Sequence, residues 1–153
     1  MIFFKLYYHV IAFLKFILFK IVYRNKVHFG ANFTFRKGFS LDIGKKGRVE
    51  IGKNVFFNNW CSVCALESVK IGDGTIFGEN VKIYDHNHIC SNPNIPIKEQ
   101  GYNSSPIHIG KHCWIASNVI ILKGVTIGDN SIIGAGVIVY KDVPPNSKIV
   151  GKQ

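Results

Sequence analysis

The stretch Ile109-Gly-Lys-His-Cys-Trp-Ile-Ala-Ser-Asn-Val-Ile-Ile-Leu-Lys-Gly-Val-Thr-Ile-Gly-Asp-Asn130 decides the fold. An aliphatic residue returns at every sixth position, Ile109, Ile115, Ile121 and Ile127, and the beat continues through Ile133 and Val139. Four residues after each comes a second small or branched side chain: Cys113, Val119, Val125, Ser131, Val137 and Val143. A helix wants apolar residues at spacings of three and four, and a half-buried strand wants alternation. A step of six suits a chain that coils with one flat side per repeat, two positions of each repeat facing inward. Gly110, Gly128 and Gly134 follow their Ile directly, completing the hexapeptide pattern of a parallel β-helix. The fold class is therefore all-β, with three sides and about eighteen residues to a coil.

Toward the N-terminus the same register is looser. It starts at Phe39 with Phe39/Ile43, Val49, Ile51/Val55 and Phe57/Cys61, and slips by two residues around Val63 to Ala65. It then resumes as Ala65/Val69, Ile71/Thr75, Phe77/Val81 and Ile83, ending at Asp85. Residues 39–85 and 107–146 are the two parts of a β-helix of about five coils, stacked roughly 4.8 Å apart. Residues 25–38 read as a lead-in and 147–153 as a C-terminal tail. Residues 86–106 carry no repeat and no strand pattern. A solenoid extrudes such an insertion from one edge, where it is free to carry chemistry.

Residues 1–24 differ from the rest, being dominated by Phe, Leu, Ile, Val and Tyr with Lys5, His9, Lys15 and Lys20 interspersed. They read as a basic amphipathic helix. Lys5, Tyr8, His9, Lys15 and Lys20 share one side, and Phe3, Leu6, Val10, Phe13, Leu14, Ile17, Leu18 and Ile21 cover the remainder. The lysines interrupt the apolar run too often for a transmembrane span. The expectation is a helix lying on an anionic membrane surface, or one packing on its own β-helix or a neighbouring subunit. No uninterrupted apolar core ends in a small-residue cleavage site, which argues for a cytoplasmic protein, peripheral at the inner face of the membrane.

The chain has 153 residues and a formal net charge of +10, a field that draws in phosphates, acidic polymers or anionic lipid. Nucleic acid is not an expected partner, because no nucleic-acid-binding motif is present. Cys61 and Cys113 occupy inward slots where a small apolar side chain is wanted. Cys61/Cys64 has half the spacing of a zinc site but no second pair, so no metal is expected. Asp85-His-Asn-His88, at the root of the insertion, is a compact acid/base group. A neutral imidazole there can take a proton from a hydroxyl, and a carboxylate on its other nitrogen fixes the tautomer.

The run Ile71-Gly-Asp-Gly-Thr-Ile-Phe-Gly-Glu-Asn-Val-Lys-Ile-Tyr-Asp-His-Asn-His88, the Pro-containing loop and the Cys113-Trp-Ile element resemble the hexapeptide-repeat acetyltransferases. The likeness covers residues 39–146. It is strongest to the sugar O-acetyltransferases of capsule and exopolysaccharide assembly, relatives of the maltose, serine and xenobiotic acetyltransferases. It implies a left-handed β-helix assembled as a homotrimer, with acetyl-CoA as co-substrate in the crevice between subunits and a sugar or lipid-linked glycan as acceptor. His88 matches the general base; His86 is the second choice, as a substrate or proton-relay contact, with Asp85 beside it. Trp114 matches a cleft-lining Trp. Ala116 and Ser117 are candidate backbone donors, although the family often has Gly where Ala116 stands. Gly134 and Ala135 match a second backbone contact to the cofactor. Lys141, Lys148 and Lys152 are candidates for the CoA phosphates, and the short tail departs from the longer one common in relatives. Asn58, Asn59 and Tyr102 are candidate acceptor contacts.

Three other functions compete. An amino sugar acceptor would make the same site an N-acetyltransferase. A β-helical carbonic anhydrase would need zinc held by three of His86, His88, His108 and His112, whose spacing does not resemble that family. A noncatalytic glycan-binding module or membrane scaffold predicts no CoA binding.

Overall fold

A computed structural model describes residues 2–151, with the side chains of residues 2–6, 8 and 9 left out. It is one helix, α1 (Ile2–Tyr23), followed by a parallel β-solenoid of about six turns. The first sheet stacks Val27–Phe29, Arg48–Ile51, Ser68–Ile71, Ile107–Ile109 and Thr126–Ile127. The second stacks Thr34–Phe35, Phe56–Phe57, Ile76–Phe77, Trp114–Ile115, Ile132–Ile133 and Lys148–Ile149. The third stacks Ser40–Ile43, Ser62–Ala65, Lys82–Tyr84, Ile120–Ile121 and Ile138–Val139. Every pairing within these sheets is parallel, as a coil that advances one layer per turn requires.

The inward positions read from the six-step are buried throughout, Ile115, Ile121 and Ile133 fully so. The solenoid starts earlier than the register suggests: Val27, in the lead-in, already pairs with Val49. That adds a coil to the expected five. The loose register has a simple cause. Stacked residues are 22 apart between Asn32 and Asn54, 20 between Asn59 and Glu79, 18 between Lys111 and Asp129, and 16 between Asn130 and Asn146. Eighteen is the length of one coil, not of all.

The first corner, between the first and second sheets, and the second corner, between the second and third, span the same number of residues in every complete coil. Each turns through a left-handed residue. Asn54, Gly74, His112 and Asn130 do so at the first corner, and Gly38, Trp60, Asn80, Asn118 and Gly136 at the second. Asn dominates because its short amide tolerates this conformation and bonds to the Asn one coil away, as Asn80 Nδ2 does to Asn118 Oδ1 at 2.9 Å. The third corner absorbs all variation in coil length, and the 86–106 insertion leaves from it.

The helix closes the first coil. Ala12, Phe16, Phe19 and Tyr23, spaced as one helical stripe, pack on the solenoid end. Phe19 meets Phe35 and Phe39 at ring separations of 6.1 and 6.0 Å, and Phe16 meets Phe29 at 5.1 Å. Carbonyls along the otherwise open edge of the first coil are capped: Lys15 Nζ donates to Phe39 O (2.7 Å) and Tyr23 Oη to Leu41 O (2.8 Å). Along this stripe the helix packs on its own β-helix. Most of the face expected to be apolar, from Val10 to Ile21, points away from the solenoid. The placement of Lys5, Tyr8, His9, Phe3 and Leu6 on the helix faces lies outside the described side chains.

Candidate active site

The insertion opens with an antiparallel hairpin that the sequence did not announce, His86–His88 against Tyr102–Ser104. Alternation along a strand puts His86 and His88 on one face, and cross-strand pairing sets Ser104 and Tyr102 beside them. The Tyr102 ring touches both imidazoles, edge-on to His86 at 5.2 Å and tilted against His88 at 4.5 Å. The far end of the loop is knitted by Gln100, whose amide accepts from Asn92 N and donates to Asn92 O and Ile95 O.

Asp85 lies at an inward register position and is fully buried. One oxygen accepts from Leu66 N at 2.8 Å, the other from Glu67 N and Ser68 N at 2.7 and 2.9 Å. His86 Nδ1 stands 2.9 Å from the first of these oxygens. A carboxylate with this many donors and no exposed surface cannot touch an acceptor; it fixes the third corner and, through it, the orientation of His86. His86 is mostly covered, with 18% of its side chain exposed, while His88 faces solvent. Two residues near this group were missed: Ser104 Oγ donates to Glu67 Oε2 at 2.8 Å. Nothing in the six-step marks Glu67, which sits in the register slip.

The candidate cofactor residues gather on a different edge. Asn58, Gly78, Ala116 and Gly134 lie above one another at the exit of the second sheet, as Asn58 N→Phe77 O, Gly78 N→Ile115 O and Ala116 N→Ile133 O show. Asn59, Glu79, Ser117 and Ala135 form the next column along. The N–H of Asn59 is taken by Asn58 Oδ1 and that of Glu79 by Ser117 Oγ. Among the described residues, no acceptor meets the N–H of Ser117 or Ala135. Two outward donors about 4.8 Å apart suit the successive carbonyl oxygens of an extended amide-bearing chain such as pantetheine. Gly78 is needed for the stack itself, since a Cβ there would lie 2.5 Å from Ser117 N. Trp114, 50% exposed, stands on the outward face of the second sheet between Ile76 and Ile132, with Lys148 one coil beyond Ile132.

Not every candidate joins these groups. Lys141 follows the third sheet and lies away from the Trp114 column, its Nζ 5.2 Å from the centre of the Tyr140 ring. Lys152 lies outside the described residues. Asn58 and Asn59 share the cofactor edge rather than the histidine edge, and their amides already bond Arg36 and Glu79. His108 and His112 sit on the first sheet and first corner. Among the described residues, no three His, Cys, Asp or Glu side chains gather as a metal would need. Burial pushes the thiols of Cys61, Cys64 and Cys113 up from their ordinary value, the signature of packing groups rather than ligands or nucleophiles.

The bacterial transferase hexapeptide (six repeats) family model matches residues 106–141. The Escherichia coli K12 protein WbbJ, whose name assigns it to lipopolysaccharide biosynthesis as an O-acetyl transferase, is 36% identical over 132 residues, covering 82% of this chain and 67% of its own. The structure of a maltose O-acetyltransferase from Clostridium difficile 630 superposes with a TM-score of 0.66 at 32% identity, covering 86% of this chain and 69% of the other. A hexapeptide-repeat acetyltransferase from Vibrio cholerae, complexed with acetyl-CoA, gives 0.73 at 28% identity, covering 84% and 68%. The chain spans about half to two thirds of the length of the curated relatives it matches. With stacked hexapeptide coils and relatives more than 30% identical matched over two thirds of their length, the chain belongs to the hexapeptide-repeat acetyltransferases.

Proposed function

We propose that this protein transfers an acetyl group from acetyl-CoA to a sugar hydroxyl of a cell-surface glycan, as a homotrimer with its sites between subunits. The observation that carries the reading is the pairing of an imidazole cluster at the third corner with open backbone donors at the second corner and the half-exposed Trp114 on the adjoining second sheet. Within one chain these half-sites stand on opposite edges of the third sheet. A second copy, turned about an axis parallel to the solenoid, brings the hairpin of one subunit to the donor edge of the next.

In this reading His88, open to solvent, takes the proton of the acceptor hydroxyl as its oxygen attacks the thioester carbonyl carbon. His86, held by Asp85, fixes the neighbouring imidazole and the floor of the site. In the same reading the N–H of Ser117 faces the thioester oxygen, where a preorganised backbone donor stabilises developing charge by several kcal/mol, and the N–H of Ala135 holds an amide carbonyl of the pantetheine chain. The imidazolium of His88 then returns its proton to the departing CoA thiolate, which closes the proton balance.

The test is to incubate the full chain with acetyl-CoA and candidate saccharides and follow mass gain of the acceptor. His88→Ala should lower the rate by roughly 10² to 10⁴, the contribution of a positioned general base. A His88→Ala protein as active as wild type, with His86→Ala inactive, moves the base to His86. Absence of CoA binding would leave only a glycan-binding or scaffold role.

A further inference from the structure

The outer face of α1 exposes a run of large apolar side chains. Val10, Phe13, Leu14, Leu18, Ile21 and Val22 are between 49% and 66% exposed. At 100° per residue they centre about 180° from the stripe Ala12, Phe16, Phe19 and Tyr23 that packs on the first coil. The helix is thus apolar on both sides. Lys15 and Lys20 mark the two boundaries between its packed and open faces, the first bonded to Phe39 O and the second resting 4.6 Å from the Phe16 ring centre.

Charge is concentrated at the same end. The first 41 residues contain Lys5, Lys15, Lys20, Arg24, Lys26, Arg36 and Lys37 and no Asp or Glu, so they supply seven of the ten net positive charges. A groove of about 370 Å³ between α1 and the first coil is lined by Ile11, Ala12, Lys15, Arg36, Lys37 and Gly38. It has an apolar wall and a cationic rim.

We infer that this end of the solenoid docks on an anionic lipid bilayer, with the outer face of α1 in the interface and the basic residues at the level of the lipid phosphates. An apolar strip bordered by cations, in a stretch of sequence that holds no acidic residue before Asp42, matches a negative surface over an oily layer. Among the described residues, no helix is long and apolar enough to cross a membrane. The docking also sets a height. The helix lies across the solenoid end, so the coils rise from the membrane at about 4.8 Å each. The His86–His88 strand leaves the third coil and sits on the order of 15 Å above the headgroups, allowing for a helix about 10 Å thick that is partly sunk in them. This deepens the proposed acetyl transfer and, for the acceptor, rests on it: the fitting substrate is a saccharide carried on a lipid, presented from the membrane upward.

The test is sedimentation of the full chain with phosphatidylcholine vesicles and with vesicles that also contain phosphatidylglycerol. Binding is expected to the anionic vesicles and to weaken as salt is raised. Phe13→Ser with Leu18→Ser, both on the open face, should cut it more than tenfold, and Lys20→Glu roughly fivefold or more. Circular dichroism and transfer to a water-soluble saccharide should stay unchanged in these variants. Equal binding to phosphatidylcholine alone, no binding to either vesicle, or a fall in oligomer mass in the double variant without lipid overturns the proposal; the last would mean a second copy covers this face. Vesicle binding with no acetyl transfer to any acceptor would instead defeat the enzymatic reading and leave the docking standing.

Discussion

Replacing Asp85 tests how the hairpin is held. Its carboxylate accepts from the N–H groups of Leu66, Glu67 and Ser68 at 2.7 to 2.9 Å and sits 2.9 Å from His86 Nδ1. Asp85→Ala removes the acceptor for three main-chain donors at once. At roughly 1.5 kcal/mol net for each bond to a charged group, the loss comes to about 4.5 kcal/mol. That is a large share of the roughly 5–15 kcal/mol that keeps a domain folded. Asp85→Asn keeps the size and one acceptor oxygen, so about half that loss is expected, but it turns an N–H group toward another donor. The assay is urea unfolding at fixed protein concentration, because oligomer stability depends on concentration. Acetyl transfer is then measured on whichever variant remains folded. Asp85→Asn should lose activity beyond its loss of folded protein, since His86 loses the partner that orients it. A loss of stability below about 1 kcal/mol for Asp85→Ala would refute the idea that this carboxylate organises the third corner.

Three further outcomes follow from the same geometry. Gly72→Ala places a Cβ about 2.6 Å from Gly110 C and 2.7 Å from Lys111 N. Both are backbone and cannot give way, so thermal unfolding should reveal a cost of about 1–3 kcal/mol. Thiol labelling of the native protein should modify exposed Cys90 and spare buried Cys61 and Cys113. Burial raises the folded pKa of both buried thiols above the ordinary 9.0. Their contribution to stability is therefore complete below pH 9 and declines above it, where the unfolded thiols ionise, a slope that urea titrations across that range would detect and Cys61→Ala would reduce. Finally, His88→Ala and a second-corner variant such as Ala116→Trp should each be inactive alone yet recover part of the activity when co-assembled. No recovery would mean that the two half-sites do not meet across subunits.

How far the sequence could be read depended on whether a residue's role was local. Ile109 to Val143 keep a strict six-step because those coils carry no extra residues, so the core there could be named position by position. Val27 and Phe35 belong to the same architecture but escaped the pattern, since the longer strands Ser40–Ile43, Arg48–Ile51, Ser62–Ala65 and Ser68–Ile71 lengthen the coil around the third corner and break the beat. The packed stripe of α1 was hidden for another reason. Phe16 and Phe19 are no more apolar than Phe13 and Leu14, so composition could not say which side meets the solenoid. Asp85 was legible as an acid beside a histidine. Its bonds to Leu66, Glu67 and Ser68 were not, because they join residues brought together only by the stacking of one coil on the next. The proposed division of the site between two edges was equally invisible, because only the coiling sets Ala116 and His88 at opposite edges of the third sheet.

The unequal corners have a consequence for how such a protein changes over time. Two of its three edges repeat the same span in every complete coil, locked by left-handed Asn or Gly residues and by bonds to the layers on either side. The third accepts extra residues two or twenty at a time without disturbing the stack. On the proposed division of roles, a lineage can therefore recut the hairpin on the acceptor side while the acyl-donor side stays as it was, so new acceptor preferences would arise by editing one seam of the prism.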